Sequence, residues 1–280
     1  VNCSRKDPEG GDAMKNDPIV ITGAARTPIG SFQGALAPVS APDLGAAAVA
    51  AAVERSAVSA ESIEEVVMGC VLPAGLRQAP ARQAALSAGL PMGTPCTTIN
   101  KMCGSGMKAT MLAHDHILAG SGRILVSGGL ESMSNAPYLL PKARSGYRLG
   151  NGELLDHMFV DGLEDAYEPG KLMGHFAEDC VKRYGFSRED QDDFAIESLT
   201  RATEAIENGA FRDEIVSVAV SGRKETVMVD TDEQPLCANI EKIPSLRPAF
   251  QKDGTVTPAN SSSISDGAAA LVMMRLSDAE

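Results

Sequence analysis

Short strand-like segments alternate with helix-like segments through the first half of the chain, and this order constrains the fold more than any other feature. Apolar and β-branched runs predict the strands, whereas apolar residues at helical spacing predict the helices. The predicted strands are residues 19–22, 66–72, 96–99 and 123–127, and the predicted helices are residues 44–58, 81–88 and 106–119, the first with Asp43 as its N-cap. This order is typical of an α/β fold with a mostly parallel sheet covered by helices.

The pattern changes near Ser132. Residues 132–172 are rich in glycine and proline and show no long periodic run, which is typical of a functional loop or a subdomain rather than an ordinary connection. Further predicted elements are a helix with a capping-box-like start at residues 187–190, and strands at residues 214–220, 227–229 and 268–274. If the last strand rejoins the first sheet, residues 132–260 form an insertion, which we call the insert.

Composition and charge exclude several classes of protein. The chain has 280 residues, of which 44% are hydrophobic, so it can bury a sizeable core. Its net charge of −12 argues against general binding to nucleic acids or anionic membranes, which requires a basic face. A local basic cluster would still suffice for a polyanionic small molecule. No apolar run approaches the roughly 20 residues that span a bilayer.

The six cysteines are dispersed, without a C-x-x-C spacing or a cluster with histidine. This usage is typical of reduced thiols in a cytoplasmic protein, and it predicts no metal site. The polar residues before Met14 show no signal-peptide pattern, and residues 1–15 are predicted to be a disordered extension.

Cys103 lies where a strand-like segment meets a helix-like one. Gly104, Ser105 and Gly106 follow it, and such small residues let a substrate approach closely and leave backbone N–H groups available. A cysteine at this kind of turn lies near the positive end of a helix dipole, which favours the nucleophilic thiolate. The alternative interpretation is a small buried residue on a tight turn, and the residues alone leave both open.

Five stretches of the sequence carry a resemblance to a known family. They are Ala25–Gly30, Asn100–Lys108, Gly128–Pro137, Leu246–Phe250, and Asp253–Thr257 running on to Asn260–Ser262 and Asp266–Ala270. In their order and spacing from Ile19 to Met274, they resemble the thiolases, which are acyl-CoA C-acyltransferases.

The resemblance implies a layered α/β fold built from two similar βαβαβαββ halves. This chain resembles the N-terminal half, a mixed, mostly parallel sheet with helices on both faces, and we expect the C-terminal half to be absent. Residues 16–131 and 261–280 are predicted to form the domain core, and the insert is predicted to be the α-rich loop domain that binds coenzyme A. We also expect the final strand to expose a large apolar face.

By the same resemblance, Cys103 is the nucleophile that takes an acyl group from an acyl-CoA as a thioester. The acyl group then passes to coenzyme A, or to acetyl-CoA in a Claisen condensation that yields acetoacetyl-CoA, and no cofactor or metal is needed. The positions that resemble coenzyme A contacts are Leu163, Met173, Ala249, Phe250, Ser262 and Ile264. Candidates for cations near the nucleotide phosphates are Arg144, Arg148, Lys242 and Arg247.

Such chemistry also needs a histidine base, a second base and donors for the oxyanion. The family takes these largely from its second half, through a Gly-His-Pro motif and a late Cys-x-Gly-Gly segment. Neither pattern occurs in these 280 residues, whose histidines are His114, His116, His157 and His175. We therefore expect the 280 residues alone to show little or no turnover.

Several alternatives stay open at this point. Asn100–Met102 and Gly162–Tyr167 resemble acetyl-CoA acetyltransferases, and Met173 would narrow the acyl pocket to suit short acyl groups. A longer-chain 3-ketoacyl-CoA thiolase of fatty-acid β-oxidation is the second subclass. A β-ketoacyl synthase and a non-catalytic thiolase-like protein that binds acyl-CoA are the remaining alternatives. Family members form dimers of dimers, so a homodimer or homotetramer is expected, with no nucleic-acid or membrane partner.

Overall fold

The computed structural model describes residues 17–222 and 224–280, so the predicted extension at residues 1–15 lies outside the described residues. Its strands are β1 (Ile19–Arg26), β2 (Gly30–Ser31), β3 (Glu65–Gly69), β4 (Cys96–Ile99), β5 (Leu125–Ser132), β6 (Tyr138–Leu139), β7 (Leu155–Asp156), β8 (Val218–Ser221), β9 (Thr226–Val229) and β10 (Ser265–Arg275). Its α-helices are α1 (Ala41–Ser56), α2 (Pro80–Ser87), α3 (Ser105–Leu118), α4 (Met173–Tyr184), α5 (Arg188–Glu207), α6 (Glu233–Cys237) and α7 (Leu276–Ala279). The predicted alternation in the first half is confirmed.

The largest sheet joins the two ends of the described chain. Its strand order is β1-β10-β5-β3-β4, and β2 pairs with the start of β10. Strand β3 pairs in parallel with β4 and β5, whereas β10 pairs antiparallel with β1 and β5. Among the six strands described in this sheet, β10 alone therefore runs against the others. The mixed, mostly parallel sheet is confirmed, and the final strand does rejoin the first sheet.

Helices cover both faces of this sheet, because successive side chains of a strand point to opposite sides. Val272 and Met274 of β10 join the apolar cluster formed with α1 and α2. Met273 joins a second cluster, formed with the buried side of α3 on the other face. All three side chains are at most 5% exposed.

The expected apolar face on the final strand is wrong for the same reason. Strand β10 lies between β1 and β5 and is covered from both sides. Exposed apolar side chains do occur on α3, where Met107, Met111 and Leu118 are 74%, 54% and 42% exposed. The outer side of α3 therefore exposes apolar side chains, whereas Val272, Met273 and Met274 of β10 are buried.

Helix α1 begins earlier than predicted, because Ser40 rather than Asp43 is its N-cap. The Ser40 Oγ accepts the backbone N–H of Asp43 at 3.3 Å and donates to the Asp43 carboxylate at 2.6 Å. Pro42 lies in the first turn, where its missing N–H breaks no helical hydrogen bond.

The chain leaves the large sheet at Ser132 and rejoins it at Ser265. Between them lie the hairpins β6-β7 and β8-β9 and helices α4 to α6, and α5 starts at the predicted capping box of Ser187 and Asp190. The strand predicted at residues 214–220 is shorter, because the backbone on either side of Ile215 pairs with Arg26 of β1 instead. The division into two domains stays a prediction.

The side chain of Arg26 holds the insert against the sheet. Its guanidinium donates to both carboxylate oxygens of Asp232, at 2.7 and 2.9 Å, and through Nε to Glu214 at 2.7 Å. Partial burial acts to lower the pKa of Arg26, but its hydrogen bonds to Asp232 and Glu214 raise that pKa above its ordinary value. The first stretch of the family resemblance thus anchors the insert.

Candidate active site

Cys103 is exposed on the turn that connects β4 to α3. Helix α3 begins at Ser105 with Gly104 as its N-cap, so the cysteine directly precedes the cap. Met102 has a φ of 48°, in the left-handed region that costs a residue other than glycine about 1–2 kcal/mol. The position excludes the interpretation of Cys103 as a small buried residue, and the strained turn requires other contacts to hold it.

Two side chains provide these contacts. The Asn100 Oδ1 accepts the backbone N–H of Met102 at 2.9 Å. The Ser105 Oγ accepts the N–H of Lys101 at 2.8 Å and donates to the carbonyl of Met102 at 2.6 Å. Together they fix the backbone of Met102 from both sides and so orient the next residue, Cys103.

The end of β3 approaches this turn closely. A Cβ on Gly69 would lie 2.5 Å from the Cβ of Ser105 and 2.6 Å from its carbonyl carbon. Since real side chains do not approach so closely, any residue larger than glycine at this position would push the first turn of α3 away. Gly69 therefore sets the distance between the sheet and the helix that begins beside Cys103.

Glu131, near the end of β5, holds the segment that follows β3. Its carboxylate accepts the N–H of Val71 at 2.8 Å and that of Leu72 at 3.0 Å, and the Cys70 Sγ donates to it at 3.7 Å. Burial raises the pKa of Glu131 above its ordinary value, and the two N–H donors oppose that rise. Burial and the neighbouring Glu131 charge raise the pKa of Cys70 to about 12, so this thiol stays protonated at neutral pH.

The buried His157 is engaged elsewhere. Its Nδ1 lies 2.6 Å from the Asp161 carboxylate, and its Nε2 accepts the N–H of Ala74 at 3.4 Å. Within the residues that the structure describes, no hydrogen bond joins Cys103 to a histidine. His157 thus ties the insert to the segment after β3, and none of these contacts makes it a base for the cysteine.

A buried carboxylate organises the part of the insert that carries the stretch Asp253–Thr257. Glu178 of α4 is 1% exposed, and one of its oxygens accepts the N–H groups of Thr255 and Val256, both at 2.8 Å. A Cβ on Gly254 would lie 2.2 Å from that same oxygen, which explains the glycine.

A second buried carboxylate fixes the residues that follow. Asp192 of α5 accepts hydrogen bonds from the Arg188 Nε at 2.7 Å and from the Asn260 Nδ2 at 2.9 Å. The Asn260 Oδ1 in turn accepts the N–H of Thr257 at 2.7 Å. The asparagine of the fifth stretch is therefore a structural link to α5.

Some of the positions predicted to contact coenzyme A come together. The ring of Phe250 lies against Gly174, where an added Cβ would come within 2.3 Å of it, and Met173 directly precedes that glycine. Ala249 is exposed beside Phe250, and Leu163 is joined to this region by the bridge between Glu164 and Leu172.

The other predicted positions are less clearly grouped. Ser262 is exposed and Ile264 is half-buried on the segment that leads into β10. No hydrogen bond in the described part of the chain joins either of them to Phe250. The four candidate cations, Arg144, Arg148, Lys242 and Arg247, are all exposed, and their role stays a prediction.

The described residues contain neither a candidate metal site nor a candidate membrane span. No group of three or more histidine, cysteine, aspartate or glutamate side chains there could hold a metal ion. No helix in the same residues is long and apolar enough to cross a bilayer.

The sequence matches the family model "Thiolase, N-terminal domain" over residues 19–277. The chain belongs to the thiolase family. The resemblance that the five stretches indicated is thereby confirmed, and the sheet with helices on both faces is the thiolase N-terminal architecture.

Known thiolases resemble the chain along almost all of its length. It is 52% identical over 268 residues to an acetyl-CoA acetyltransferase of Escherichia coli, covering 95% of this chain and 67% of the relative. It is 48% identical over 264 residues to one of Pseudomonas aeruginosa, covering 94% and 67%. The crystal structure of Acat5 thiolase from Ascaris suum in complex with coenzyme A is 44% identical, with a TM-score of 0.85, and the match covers 91% of this chain and 65% of that one.

The reasoning from sequence missed the structural roles of Glu131 and Asn100 in this thiolase. Both lie inside stretches that carried the family resemblance, but neither was assigned a task. A glutamate at the end of an otherwise apolar and glycine-rich strand was the available signal, because a partly buried carboxylate requires hydrogen-bond donors.

Proposed function

We propose that this thiolase is an acetyl-CoA acetyltransferase that works through an acyl-enzyme on Cys103. The observation that carries the proposal is the exposed cysteine on a fixed turn directly before α3. The names of the similar proteins support the choice of acetyl-CoA over longer acyl-CoA substrates.

In the first step, the Cys103 sulfur attacks the thioester carbonyl of acetyl-CoA. A new carbon–sulfur bond forms, the bond to coenzyme A breaks, and coenzyme A leaves as a thiol after taking up the proton that the cysteine loses. In the second step, another acetyl-CoA loses an α-proton and its carbanion attacks the acetyl group on Cys103. The new carbon–carbon bond gives acetoacetyl-CoA, the bond to Cys103 breaks, and the cysteine sulfur takes up a proton to balance the one lost from the α-carbon. The reverse direction is thiolysis of acetoacetyl-CoA by coenzyme A.

The insert is proposed to hold coenzyme A, with Met173 and Phe250 as apolar contacts. Support comes from the packing of Phe250 against the start of α4 and from the similar Ascaris structure, which contains coenzyme A. Met173 is 47% exposed, so its side chain is available to a bound molecule. An unbranched methionine beside the acyl group would leave room for a short chain only.

The test is transfer of one acetyl group to Cys103. The protein is incubated with acetyl-CoA, and intact and peptide-resolved mass spectrometry locates the label. We expect one acetyl group on Cys103, none on the Cys103→Ser variant, and slower labelling by a longer acyl-CoA. Label spread over the exposed Cys180 and Cys237 at equal rates would contradict the proposal.

Because these 280 residues contain no Gly-His-Pro motif, we expect acylation without repeated cycles when they are tested alone. Release of coenzyme A should stop after one equivalent. Sustained release over many turnovers would show that another group in the chain serves as the base.

A further inference from the structure

Glu131 of β5 is linked by a set of hydrogen bonds to Met102, the residue before Cys103 on the connection between β4 and α3. The first link is the carboxylate itself, which accepts the N–H groups of Val71 and Leu72 at 2.8 and 3.0 Å. These residues directly follow β3, the strand that lies between β4 and β5. The carboxylate therefore sets the path of the backbone as it leaves the centre of the sheet.

The second link joins this segment to the connection between β4 and α3, which carries Cys103. The carbonyl of Val71 accepts a hydrogen bond from the Asn100 Nδ2 at 3.3 Å, and the N–H of Cys70 donates to the carbonyl of Ile99 at 3.0 Å. The segment held by Glu131 thus contacts both the last residue of β4 and the residue after it.

The third link ends beside Cys103. The same Asn100 side chain uses its Oδ1 to accept the N–H of Met102, whose left-handed backbone is otherwise unfavourable. We propose that Glu131 is a positioning residue for Cys103, acting through Val71 and Asn100 to hold Met102 in its left-handed conformation. The inference rests on the proposed role of Cys103 as the nucleophile.

The surroundings of Glu131 suit this role. The titratable groups that face it are the Cys70 thiol, which donates to it, and His157. An ionised carboxylate accepts both N–H groups at once, whereas a neutral amide of the same shape accepts only one and turns a donor toward the other. Glu131→Gln therefore removes one link without removing volume.

Peptide-resolved alkylation by iodoacetamide at neutral pH measures the effect without requiring catalysis. If the turn relaxes, the Cys103 thiol leaves its fixed, exposed position directly before the N-cap of α3. We expect Glu131→Gln to slow alkylation of Cys103 by about tenfold, the change that corresponds to one lost hydrogen bond to a charged group. Glu131→Asp keeps the charge on a shorter side chain, so its Cys103 alkylation rate should lie between those of the native chain and of Glu131→Gln.

Internal and external controls separate positioning from unfolding. The exposed Cys180 and Cys237 report on the reagent, and the buried Cys70 reports on local opening around Glu131. Glu153→Gln, at an exposed position, should leave every rate unchanged. If Glu131→Gln makes Cys70 reactive, the Glu131→Asp variant decides. A Cys103 alkylation rate between those of the native chain and of Glu131→Gln, with Cys70 still protected, supports the proposal. A native Cys103 rate in Glu131→Asp overturns it.

A double-mutant cycle with Asn100→Ala tests the route. If Glu131 acts through Asn100, the combined variant alkylates Cys103 no more slowly than Asn100→Ala alone. A native Cys103 rate in Glu131→Gln, or effects that multiply in the double variant, would overturn the proposal. A chain that passes these tests but takes no acetyl group from acetyl-CoA would refute the proposed function and leave the positioning role standing.

Discussion

The large sheet and the insert are held together by different kinds of interaction. The sheet and helices α1 to α3 share continuous apolar clusters, whereas few buried hydrophobic side chains of the described residues belong to the insert. Those in the insert are Met158, Val218, Val220, Ile243 and Val256. The insert also contains the buried carboxylates of Glu178, Asp192 and Asp232, which accept backbone and side-chain donors.

The difference teaches that the two regions respond to different changes. Apolar clusters lose stability when volume is removed from them. A small increase in side-chain polarity destabilises them only when it occurs at their centre. Carboxylate-centred regions lose stability when one acceptor is lost, because the orphaned donors stay buried. Substitutions that conserve shape should therefore spare the first region and damage the second.

The largest effect is expected from removing volume at the centre of the sheet. Met68 of β3 is fully buried, so Met68→Ala should lower the free energy of unfolding by about 2–5 kcal/mol. Urea denaturation followed by circular dichroism measures it. Met92→Ala, at a side chain that is 77% exposed, is the matched control and should change little. Equal effects of the two would break the comparison.

A smaller loss is expected from an isosteric change in the insert. Glu178→Gln keeps the shape but replaces the charged acceptor of the Thr255 and Val256 N–H groups by a neutral amide oxygen, so both hydrogen bonds weaken, at a cost of about 1–3 kcal/mol. The same denaturation experiment applies, with the exposed Glu204→Gln of α5 as the control. A native unfolding midpoint for Glu178→Gln would mean that packing, not the carboxylate, orders this region.

The contact between the two regions should respond less. Arg26→Lys keeps the charge but loses the bidentate hydrogen bonds to Asp232, so we expect the free energy of unfolding to fall by about 1 kcal/mol. The more specific result is faster proteolysis within the insert than within the sheet, read by limited trypsin digestion and mass spectrometry. Uniformly faster cleavage in both regions would argue that Arg26 does not join them.

The smallest effect is expected at Cys70, whose thiol donates to the Glu131 carboxylate. With its pKa raised to about 12, the folded chain keeps a thiol proton that the unfolded chain loses near its ordinary value of 9.0. The stability due to neutral Cys70 is thus fully present below that ordinary value and is lost as the pH rises toward 12. Cys70→Ala should show a shallower alkaline fall in its urea midpoint, whereas Cys180→Ala should match the native curve.

Much of the sheet region could be predicted from the sequence. The segments around Cys96–Ile99 and Met107–Leu118 show clear strand and helix patterns, because local periodicity reflects burial on one face. The packing of helices on both faces of β10 could not be predicted from the sequence. An apolar run shows the same pattern whether its faces pack against helices of the same chain or against a partner that is absent. The predicted bounds of the strand at residues 214–220 were also wrong, because the segment near Glu214 pairs with Arg26, which lies far away in the sequence.

Of the candidate site, only Cys103 and the small residues next to it could be predicted from the sequence. Cys103 with its small neighbours carries a local signal, and the family resemblance supplied a role. The supporting contacts depend on tertiary proximity, as in the bonds from Glu131 to Val71 and from Asn100 to the same residue. Spacing along the chain does not encode such contacts, so these residues stood out only in three dimensions.

The reversed direction of β10 has a consequence for how this architecture tolerates change. Because β10 runs antiparallel to β5, the end of β5 and the start of β10, between which the insert lies, are direct neighbours, and Asp266 is paired with Ser132 across the ladder. For the sheet, the whole insert is equivalent to a hairpin turn whose ends are already joined. Lengthening or shortening such a connection adds little closure entropy and leaves the strand register unchanged. The sheet that carries Cys103 can therefore persist while the region proposed to select the substrate is remodelled.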